Sequence, residues 1–437
     1  MGKRFFGDLI PPEVADGLPE GTKSLRIIES PSAQMCLQCR AAKLLCGRPR
    51  CPILVRATQY VVRSPRASRG MFSGTSPPGV FVGRTGYPKI SVGPLVSADL
   101  TGVELADSPE AWLNLSMADI IGFRYSLLRG RTYLRVDAAA EPGRSLGALH
   151  ELALATKPVS TELEILSSPS FSMMFSEDVQ PIGPSASYRA LRASGSTSDG
   201  RIERVYYDTD LKAEEAVTGM YSSGVEVSRI QKAFSIGMTG LKQKRRLVPT
   251  RWSITAVDSI LSNYLMDKVR TNPVVNETRV YIYEHMESTY VGYIFPRRWS
   301  FEWVEGWQPN TVWNVGGAAP ELIGDSEGFQ GRSSYAEPGG CYYSARLAAA
   351  ESLSREGRAG AVVLLREIHP GYIIPLGVWT VREALRELFR KEPVRYSNES
   401  EAISYGVSRT SIPKAVWFRK ARLLAEIQNQ RKLTDFS

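Results

Sequence analysis

The chain has 437 residues, of which 43% are hydrophobic and 23% are charged. This is the composition of a folded protein with two or three domains. No apolar stretch reaches the roughly 20 residues that a membrane helix needs, and residues 1–8 lack the apolar core of a signal peptide. We therefore expect a cytoplasmic protein with no membrane partner.

The net charge is +9, and residues 30–98 contain ten Lys or Arg and no Asp or Glu. Such a basic segment suits contact with a nucleic-acid backbone, or it could form a basic, solvated surface.

Four of the five cysteines lie in one short segment, as Cys36, Cys39, Cys46 and Cys51. Their C-x2-C-x6-C-x4-C spacing supplies four thiolates, the ligand set that a structural, tetrahedral Zn²⁺ prefers. Disulfides need an oxidising compartment, which nothing else in the sequence indicates. We therefore predict a structural zinc site of the zinc-finger type, and we interpret the distant Cys341 as a buried thiol.

Short β-branched pieces between the glycines and prolines of residues 79–94 are typical of strands joined by tight turns. These glycines match neither a phosphate-binding loop nor a dinucleotide fingerprint. In the basic segment as a whole, the residues that we predict to contact the DNA backbone are Arg40, Lys43, Arg48, Arg84 and Lys89.

The middle of the chain mixes helical and strand patterns. The expected elements are a helix over 107–130, a strand over 161–166, a polar loop over 181–200, and amphipathic helices over 211–221 and 225–236.

A second basic run occupies residues 241–252 and contains no acid. It precedes Thr255 and Asp258, which form a helix start signal. We expect the run to lie at a helix entrance, where N–H groups add to its attraction for phosphate. Its residues that we predict to contact DNA are Lys244, Arg245, Arg246 and Arg251.

Towards the C-terminus, the alternating segments 278–283 and 290–295 predict a β-hairpin. The tryptophan-rich stretch 299–313 is interpreted as core packing rather than base stacking. Later elements are a helix ending at Gly357, a strand over 361–368 and a helix that begins with a capping box at Thr380 and Glu383. Because helices and strands mix without regular βαβ spacing, the expected fold class is α+β.

An enzymatic function stays open at this point. None of the three histidines lies in a metal-ligand spacing. The carboxylates of Glu302, Glu305, Asp325 and Glu327 could form a nuclease-type metal site, or they could be solvated acids beside the tryptophan core.

Residues 339–368 weakly resemble the tyrosine-bearing strand and helix of ADP-ribosyltransferases. This resemblance implies a bound NAD, with Tyr342 or Tyr343 stacked on the nicotinamide and Glu367 orienting the ribose. Arg346 and Asp325 complete the catalytic candidates. The run of small residues here is equally what close packing of a helix on a sheet requires.

The final residues Gln430, Leu433 and Phe436 fit the pattern Q-x-x-L-x-x-F, which resembles the PIP box that docks repair proteins on the PCNA sliding clamp. In a 3₁₀ turn, residues three apart share one side, so Leu433 and Phe436 can enter one apolar pocket. Ser437 stands where the motif usually has a second aromatic. A plain tail after a basic helix over 419–428 is the alternative.

Several segments together resemble the archaeal Nre family of DNA repair proteins. They are the cysteine loop, residues 77–89 (PPGVFVGRTGYPK), 245–258 (RRLVPTRWSITAVD), 331–335 (GRSSY) and 377–383 (GVWTVRE), and the clamp box. The resemblance runs along nearly the whole chain and implies a repair factor that binds DNA and docks on PCNA.

The expected organisation is a zinc module at 1–60, an N-terminal Nre region at 61–300, a C-terminal Nre region at 301–425 and a clamp-binding tail at 426–437. The resemblance supplies no catalytic mechanism. A DNA- or nucleotide-processing enzyme and a non-catalytic adaptor therefore stay as alternatives.

Overall fold

The computed structural model of the chain describes residues 35–36, 38–39, 43–98, 101–170, 182–195 and 197–430. They form two compact units. One contains Arg50–Ile260 with the described residues up to Leu45, and the other contains Cys46–Pro49 with those from Leu261 onward. The division between these compact units lies at 260/261, and the strands on both sides of residue 300 belong to one sheet.

The first unit combines a sheet with several helices. Its strands are β1 Gly70–Ser76, β2 Val80–Val82, β3 Lys89–Ser97, β4 Leu127–Arg135, β5 Val159–Ile165 and β6 Ser185–Ser194. Its helices are α1 Pro52–Arg63, α2 Met117–Ser126, α3 Arg144–Leu154, α4 Gly200–Tyr207, α5 Ala213–Ser222 and α6 Val227–Ser235, and α7, Thr250–Val269, begins in it.

The sheet of the first unit closes on itself. Its strand order is β1-β5-β6-β4-β3-β2, and β1 also pairs with β3, where Thr75 is the partner of Ser97. The strands β1, β5, β6, β4 and β3 thus form a ring in which only β4 and β6 run parallel. Alternate residues point into it, and the buried cluster includes Phe72, Val96, Leu128 and Leu163.

Two glycines allow the strands of this ring to approach closely. A Cβ added at Gly74 in β1 would lie 2.2 Å from the carbonyl oxygen of Ser97 in β3. One added at Gly93 in β3 would lie 2.0 Å from the carbonyl oxygen of Gly130 in β4. A side chain at either position would push neighbouring strands apart.

Two elements of this unit differ from the sequence-based expectation. The polar loop expected over 181–200 contains strand β6, because Ala186 and Tyr188 are buried and the strand pairs with both β5 and β4. The helix expected over 107–130 is shorter: it extends only over Met117–Ser126, and the chain continues as β4. The helices expected over 211–221 and 225–236 are confirmed as α5 and α6.

The start of α7 also lies earlier than expected. The helix begins at Thr250, directly after Pro249. Asp258 is not a start signal, since it is buried in the helix and accepts a hydrogen bond of 2.9 Å from the Nε2 of Gln231. Arg251 and Trp252 consequently occupy the first turn of α7.

The second unit contains a second mixed sheet. Its strands are β7 Thr278–His285, β8 Ser288–Phe295, β9 Ser300–Trp307, β10 Glu321–Glu327, β11 Ala361–Ile368 and β12 Val394–Tyr396. Its helices after α7 are α8 Gly340–Glu356, α9 Trp379–Leu388, α10 Glu399–Val407, α11 Lys414–Phe418 and α12 Arg422–Asn429. The strand order is β10-β9-β11-β8-β7-β12, and only β9 and β11 are parallel.

This sheet has a central strand, β11, in which every residue is buried. A cluster that includes Val363, Ile403, Trp417 and Leu424 packs α10–α12 on one face. The expected hairpin is confirmed as β7 and β8, whose turn residues Met286 and Glu287 both have positive φ.

The predicted core packing is confirmed for Trp299, Trp303 and Trp307, which are at most 3% exposed, but not for Trp313, which is 43% exposed. Helix α9 is present, but its expected capping box is not. Thr380 donates its hydroxyl to the carbonyl of Gly377, and Glu383 binds neighbouring arginines. The fold class is α+β, as expected, and none of the helices among the described residues is both long and apolar enough to cross a membrane.

The close approach at Gly74 leads to a prediction about the ring. Gly74→Ala should lower the free energy of unfolding by about 2–3 kcal/mol, because the new methyl group collides with backbone rather than with a movable side chain. Denaturant unfolding followed by circular dichroism measures the change. Gly219→Ala in α5 is the matched control: a Cβ there meets nothing within 4 Å, so its stability should stay equal or rise slightly. Equal stability of the two variants would contradict the close strand approach.

Candidate nucleic-acid interface

The turn between β2 and β3 is held tightly against the sheet. The backbone N–H of Gly83 donates to the carbonyl of Ser91 at 2.7 Å, and that of Lys89 donates to the carbonyl of Gly86 at 2.9 Å. Gly86 has a φ of +87°, which favours glycine. The turn thereby exposes Arg84 and Tyr87 to solvent, together with Lys89 at the start of β3.

The first turn of α7 meets this turn directly. The N–H of Val82 donates to the Oγ1 of Thr250 at 2.9 Å, and the rings of Tyr87 and Trp252 lie 6.1 Å apart between centroids. Tyr87 is 56% exposed and Trp252 is 49% exposed. Two basic segments that are far apart in sequence therefore share one surface.

The outer side of β3 and β4 continues the same surface. Lys89 is the cross-strand partner of Arg135, and Ser91 is the partner of Tyr133, which is 52% exposed. The N–H of Val136 donates to the carbonyl of Pro88, and that of Leu247 donates to the carbonyl of Val136. The second basic run therefore lies beside the end of β4.

Two further arginines, Arg129 and Arg131, project from the same side of β4. Arg129 lies over the ring of Phe81 at 4.6 Å, and burial lowers its pKa to about 10. Within the described residues, the Nε atoms of Arg129 and Arg131 are buried without a hydrogen-bond partner, and neither side chain has an ion-pair partner. No acid in the described structure therefore neutralises the positive charge of these two guanidinium groups.

We call this surface the basic–aromatic face. It comprises Arg84, Tyr87, Lys89, Arg129, Arg131, Tyr133, Arg246, Arg251 and Trp252. Arg84, Lys89, Arg246 and Arg251 are exposed members that the sequence had indicated. The arginines of β4 and the three aromatic residues were not expected, because only strand pairing brings them to the same place.

The prediction that Arg245 contacts DNA is wrong. Its side chain is 6% exposed and donates to the carbonyls of Gly240 at 2.9 Å, Tyr206 at 2.9 Å and Asp208 at 2.8 Å. All three polar atoms of the guanidinium therefore serve the fold. The adjacent Arg246 is exposed.

The other residues predicted to contact DNA differ in their exposure to solvent. Arg48 is buried and donates to the carbonyls of Asn310 and Thr311, so its prediction as a phosphate contact is wrong. Lys43 and Lys244 are exposed, and Arg40 lies outside the described residues.

The cysteines do not form the expected cluster in the part of the chain that the structure describes. Cys39 is buried, whereas Cys36, Cys46 and Cys51 are half-buried, and none is in a disulfide. In those ranges no group of three or more His, Cys, Asp or Glu side chains is placed to hold a metal ion. The donor set suits zinc chemically, but this arrangement does not present it as a site, and zinc stays a prediction. Burial raises the pKa of Cys341 well above its usual value, as fits an unreactive thiol.

The four candidate carboxylates of the second unit each have their own partner. Arg366 pairs with Glu305 at 3.4 Å, Arg346 with Glu327 at 2.8 Å and Arg332 with Asp325 at 2.7 Å. Glu302 accepts the backbone N–H groups of Leu423 at 2.9 Å and Leu424 at 3.0 Å, and burial raises its pKa to about 7. Glu302, Glu305 and Glu327 are buried and are therefore not solvated acids, whereas Asp325 is partly exposed. The described residues do not gather the four into a nuclease-type metal site.

The residues of the ADP-ribosyltransferase interpretation are also internal. Tyr342 and Tyr343 lie on α8 and are at most 7% exposed. Arg346 is fixed by Ser262, Glu327 and Asn263.

Glu367 is fully buried and accepts hydrogen bonds from Ser411 and Gln308. This geometry gives NAD no accessible stacking tyrosine.

Of the clamp box, only Gln430 is described. It ends α12, and its side-chain oxygen accepts a hydrogen bond from Arg297. Leu433 and Phe436 lie outside the described residues.

Two family matches cover most of the chain. Residues 45–314 match the family described as Archaeal Nre, N-terminal, and residues 327–436 match Archaeal Nre, C-terminal. No solved structure matches the chain significantly.

Named relatives agree with these matches. DNA repair protein NreB of Archaeoglobus fulgidus is 36% identical over 406 residues, which cover 92% of this chain and 99% of that protein. DNA repair protein NreA of the same organism is 36% identical over 371 residues, 84% of this chain and 92% of the relative. DNA repair protein NreA of Haloferax volcanii is 33% identical over 377 residues, which cover 84% of this chain and 89% of that protein. The chain therefore belongs to the archaeal Nre family.

Proposed function

We propose that this chain acts in DNA repair as a DNA-binding factor that docks on the PCNA sliding clamp. The repair role is supported by the relatives, which are named DNA repair proteins. DNA binding is supported by one observation above all. The exposed rings of Tyr87 and Trp252 lie 6.1 Å apart between centroids, and Arg84 and Arg251 are exposed in the same two segments.

The charges of the basic–aromatic face suit phosphate contacts. Arginine and lysine side chains that neutralise phosphates release counterions, so binding falls steeply as salt rises. Arg84 and Arg251 are exposed, and so is Arg246, whose positive charge helps to lower the pKa of Asp137. They can contact the backbone without reading bases, which fits a factor of low sequence preference.

Salt dependence tests this function. Replacing Arg84, Arg246 and Arg251 together by alanine should weaken DNA binding and reduce the slope of log affinity against log salt by about 2–3, because each phosphate contact contributes about 0.9. Fluorescence anisotropy with a labelled oligonucleotide measures both quantities. The matched control replaces the exposed Arg144, Arg355 and Arg409, which changes net charge equally. Equal slopes for the wild type and the first variant would count against the face.

Within the second basic run, a pair of variants separates a residue that stabilises the fold, Arg245, from one that we propose to contact DNA, Arg246. Arg245→Ala removes three hydrogen bonds to buried carbonyls, so it should lower stability by about 2–4 kcal/mol. Arg246→Ala, one residue further, should leave stability nearly unchanged and weaken DNA binding.

Docking on the clamp is the second part of the proposal. Small interfaces concentrate binding energy in a few apolar anchors, here Leu433 and Phe436, so Phe436→Ala should weaken PCNA binding by about 2 kcal/mol or more. With Ser437 in place of a second aromatic, we expect micromolar affinity, about −8 kcal/mol. Calorimetry of the full chain against its own clamp measures this. Thr434→Ala, which changes neither anchor, is the control, and an undiminished affinity of Phe436→Ala would refute the tail as the docking element.

We also propose that the four cysteines bind one structural zinc. Zinc binding by thiolates contributes folding free energy on the order of 10 kcal/mol in isolated modules. Protein purified without chelator should therefore contain about one zinc per chain by elemental analysis, and Cys39→Ser should lose it. Cys341→Ser should retain the metal. Metal-free but folded wild-type protein would contradict the site.

A further inference from the structure

The ring of the first unit has a specific connectivity. We count β1, β3, β4, β5 and β6 as barrel strands 1 to 5. Strand 1 pairs with strands 2 and 4, strand 3 pairs with strands 2 and 5, and strand 4 pairs with strand 5. Only the pair three and five is parallel, and α3 lies between strands three and four. This order, 1-2-3-5-4-1 with a helix after strand three, is that of the OB-fold, a small Greek-key barrel.

The connectivity specifies where an OB-fold ligand lies. Oligonucleotides cross the outer face of strands two and three and contact the loop between strands one and two. In this chain those elements are β3, β4 and the loop over 77–88. They carry most of the basic–aromatic face, whose side chains are basic or aromatic and mostly exposed. Two independent features, backbone topology and surface chemistry, thus agree on one location.

The aromatic residues of this face distinguish between nucleic-acid forms. Tyr87, Tyr133 and Trp252 are exposed to solvent by 56%, 52% and 49%. In a duplex, both faces of a base are already stacked on its neighbours, so these rings would have no base face to contact. Unpaired bases have free faces, and each base that stacks on an aromatic side chain gains about 1–3 kcal/mol.

The unpartnered arginines of β4 complete the site. Arg129 and Arg131 lie side by side without an acid in the described structure, so their positive charges repel each other. A phosphate bound beside them would relieve that repulsion. The face therefore combines a cationic track for the backbone with rings for the bases.

We infer that the first unit is an OB-fold barrel that binds single-stranded DNA across β3 and β4. Bases stack on Tyr87, Tyr133 and Trp252, and Arg129 and Arg131 hold the backbone. This inference rests on the proposed function and narrows its substrate class. The binding site should span about 4–16 nucleotides, the range of one OB-fold.

The test compares strand forms with the full-length protein. Anisotropy titrations use labelled oligothymidine of about 12 nucleotides, oligouridine of the same length and a blunt duplex of mixed sequence, each at several salt concentrations. Oligothymidine should bind at least about tenfold more tightly than the duplex. Trp252→Ala and Tyr87→Ala should each weaken oligothymidine binding about 5- to 150-fold without changing the salt slope, because they remove stacking and no charge.

Two further variants keep the result interpretable. Trp252→Phe should retain most of the affinity, since it preserves a stacking ring, which excludes a merely structural loss. Tyr207→Ala removes another exposed aromatic, 69% exposed on α4, and should have no effect.

The outcomes separate this inference from the proposed function. One outcome would overturn the single-strand site and still support DNA binding. In it, single strand and duplex bind equally and the aromatic variants have no effect, but replacement of Arg84, Arg246 and Arg251 reduces the salt slope. Tighter binding of oligouridine than of oligothymidine would overturn DNA as the ligand. No binding of any oligonucleotide would overturn both proposals.

Discussion

Closure of the five-stranded ring determines where every candidate DNA contact of the first unit lies. The ring closes where β1 meets β3 at Thr75 and Ser97, and glycine at position 74 is what lets the two backbones approach there. That closure fixes β3 beside β4 and directs the loop after β1 over their outer face. The hydrogen bond from Val82 to Thr250 then fixes the first turn of α7 against the loop. The basic–aromatic face is thus a product of long-range backbone pairing.

The second unit presents a contrast, because its charged residues lie inside. The pair of Arg346 and Glu327 is at most 2% exposed, and the pair of Arg366 and Glu305 at most 3%. Burial of such charges is costly unless each is paired, and removal of one partner typically costs about 3–5 kcal/mol. These groups have the residue types of an active site, yet each is engaged by a neighbour. Their arrangement specifies how the sheet and α8 pack, and it explains why catalytic patterns in this part of the sequence were misleading.

Local patterns predicted much of the fold. Helices α5 and α6, the hairpin of β7 and β8 and strand β11 were recognisable because their periodicity or turn chemistry lies within a few residues. Strand β6 was not, since its polar residues face solvent and only pairing with β4 and β5 makes it a strand. The ring itself has no local signal, because it depends on pairings between distant segments.

The candidate site was predictable only in part. Arg245 and Arg246 look equivalent in sequence, yet one binds three carbonyls inside the fold and the other is exposed. Charge indicates a preference for phosphate but not which side chains reach it. Trp252 carried a usable signal, because it is a tryptophan in a strongly basic run at a helix entrance.

The central claim is that the loop over 77–88, the outer face of β3 and β4, and the first turn of α7 form one nucleic-acid site. The most direct measurement is photocrosslinking of the intact protein to a single-stranded oligonucleotide with photoreactive thymines, followed by peptide mapping. The account predicts crosslinks at Tyr87, Tyr133 and Trp252, which belong to three separate peptides. Crosslinks confined to residues beyond 261, with none in these three peptides, would contradict it.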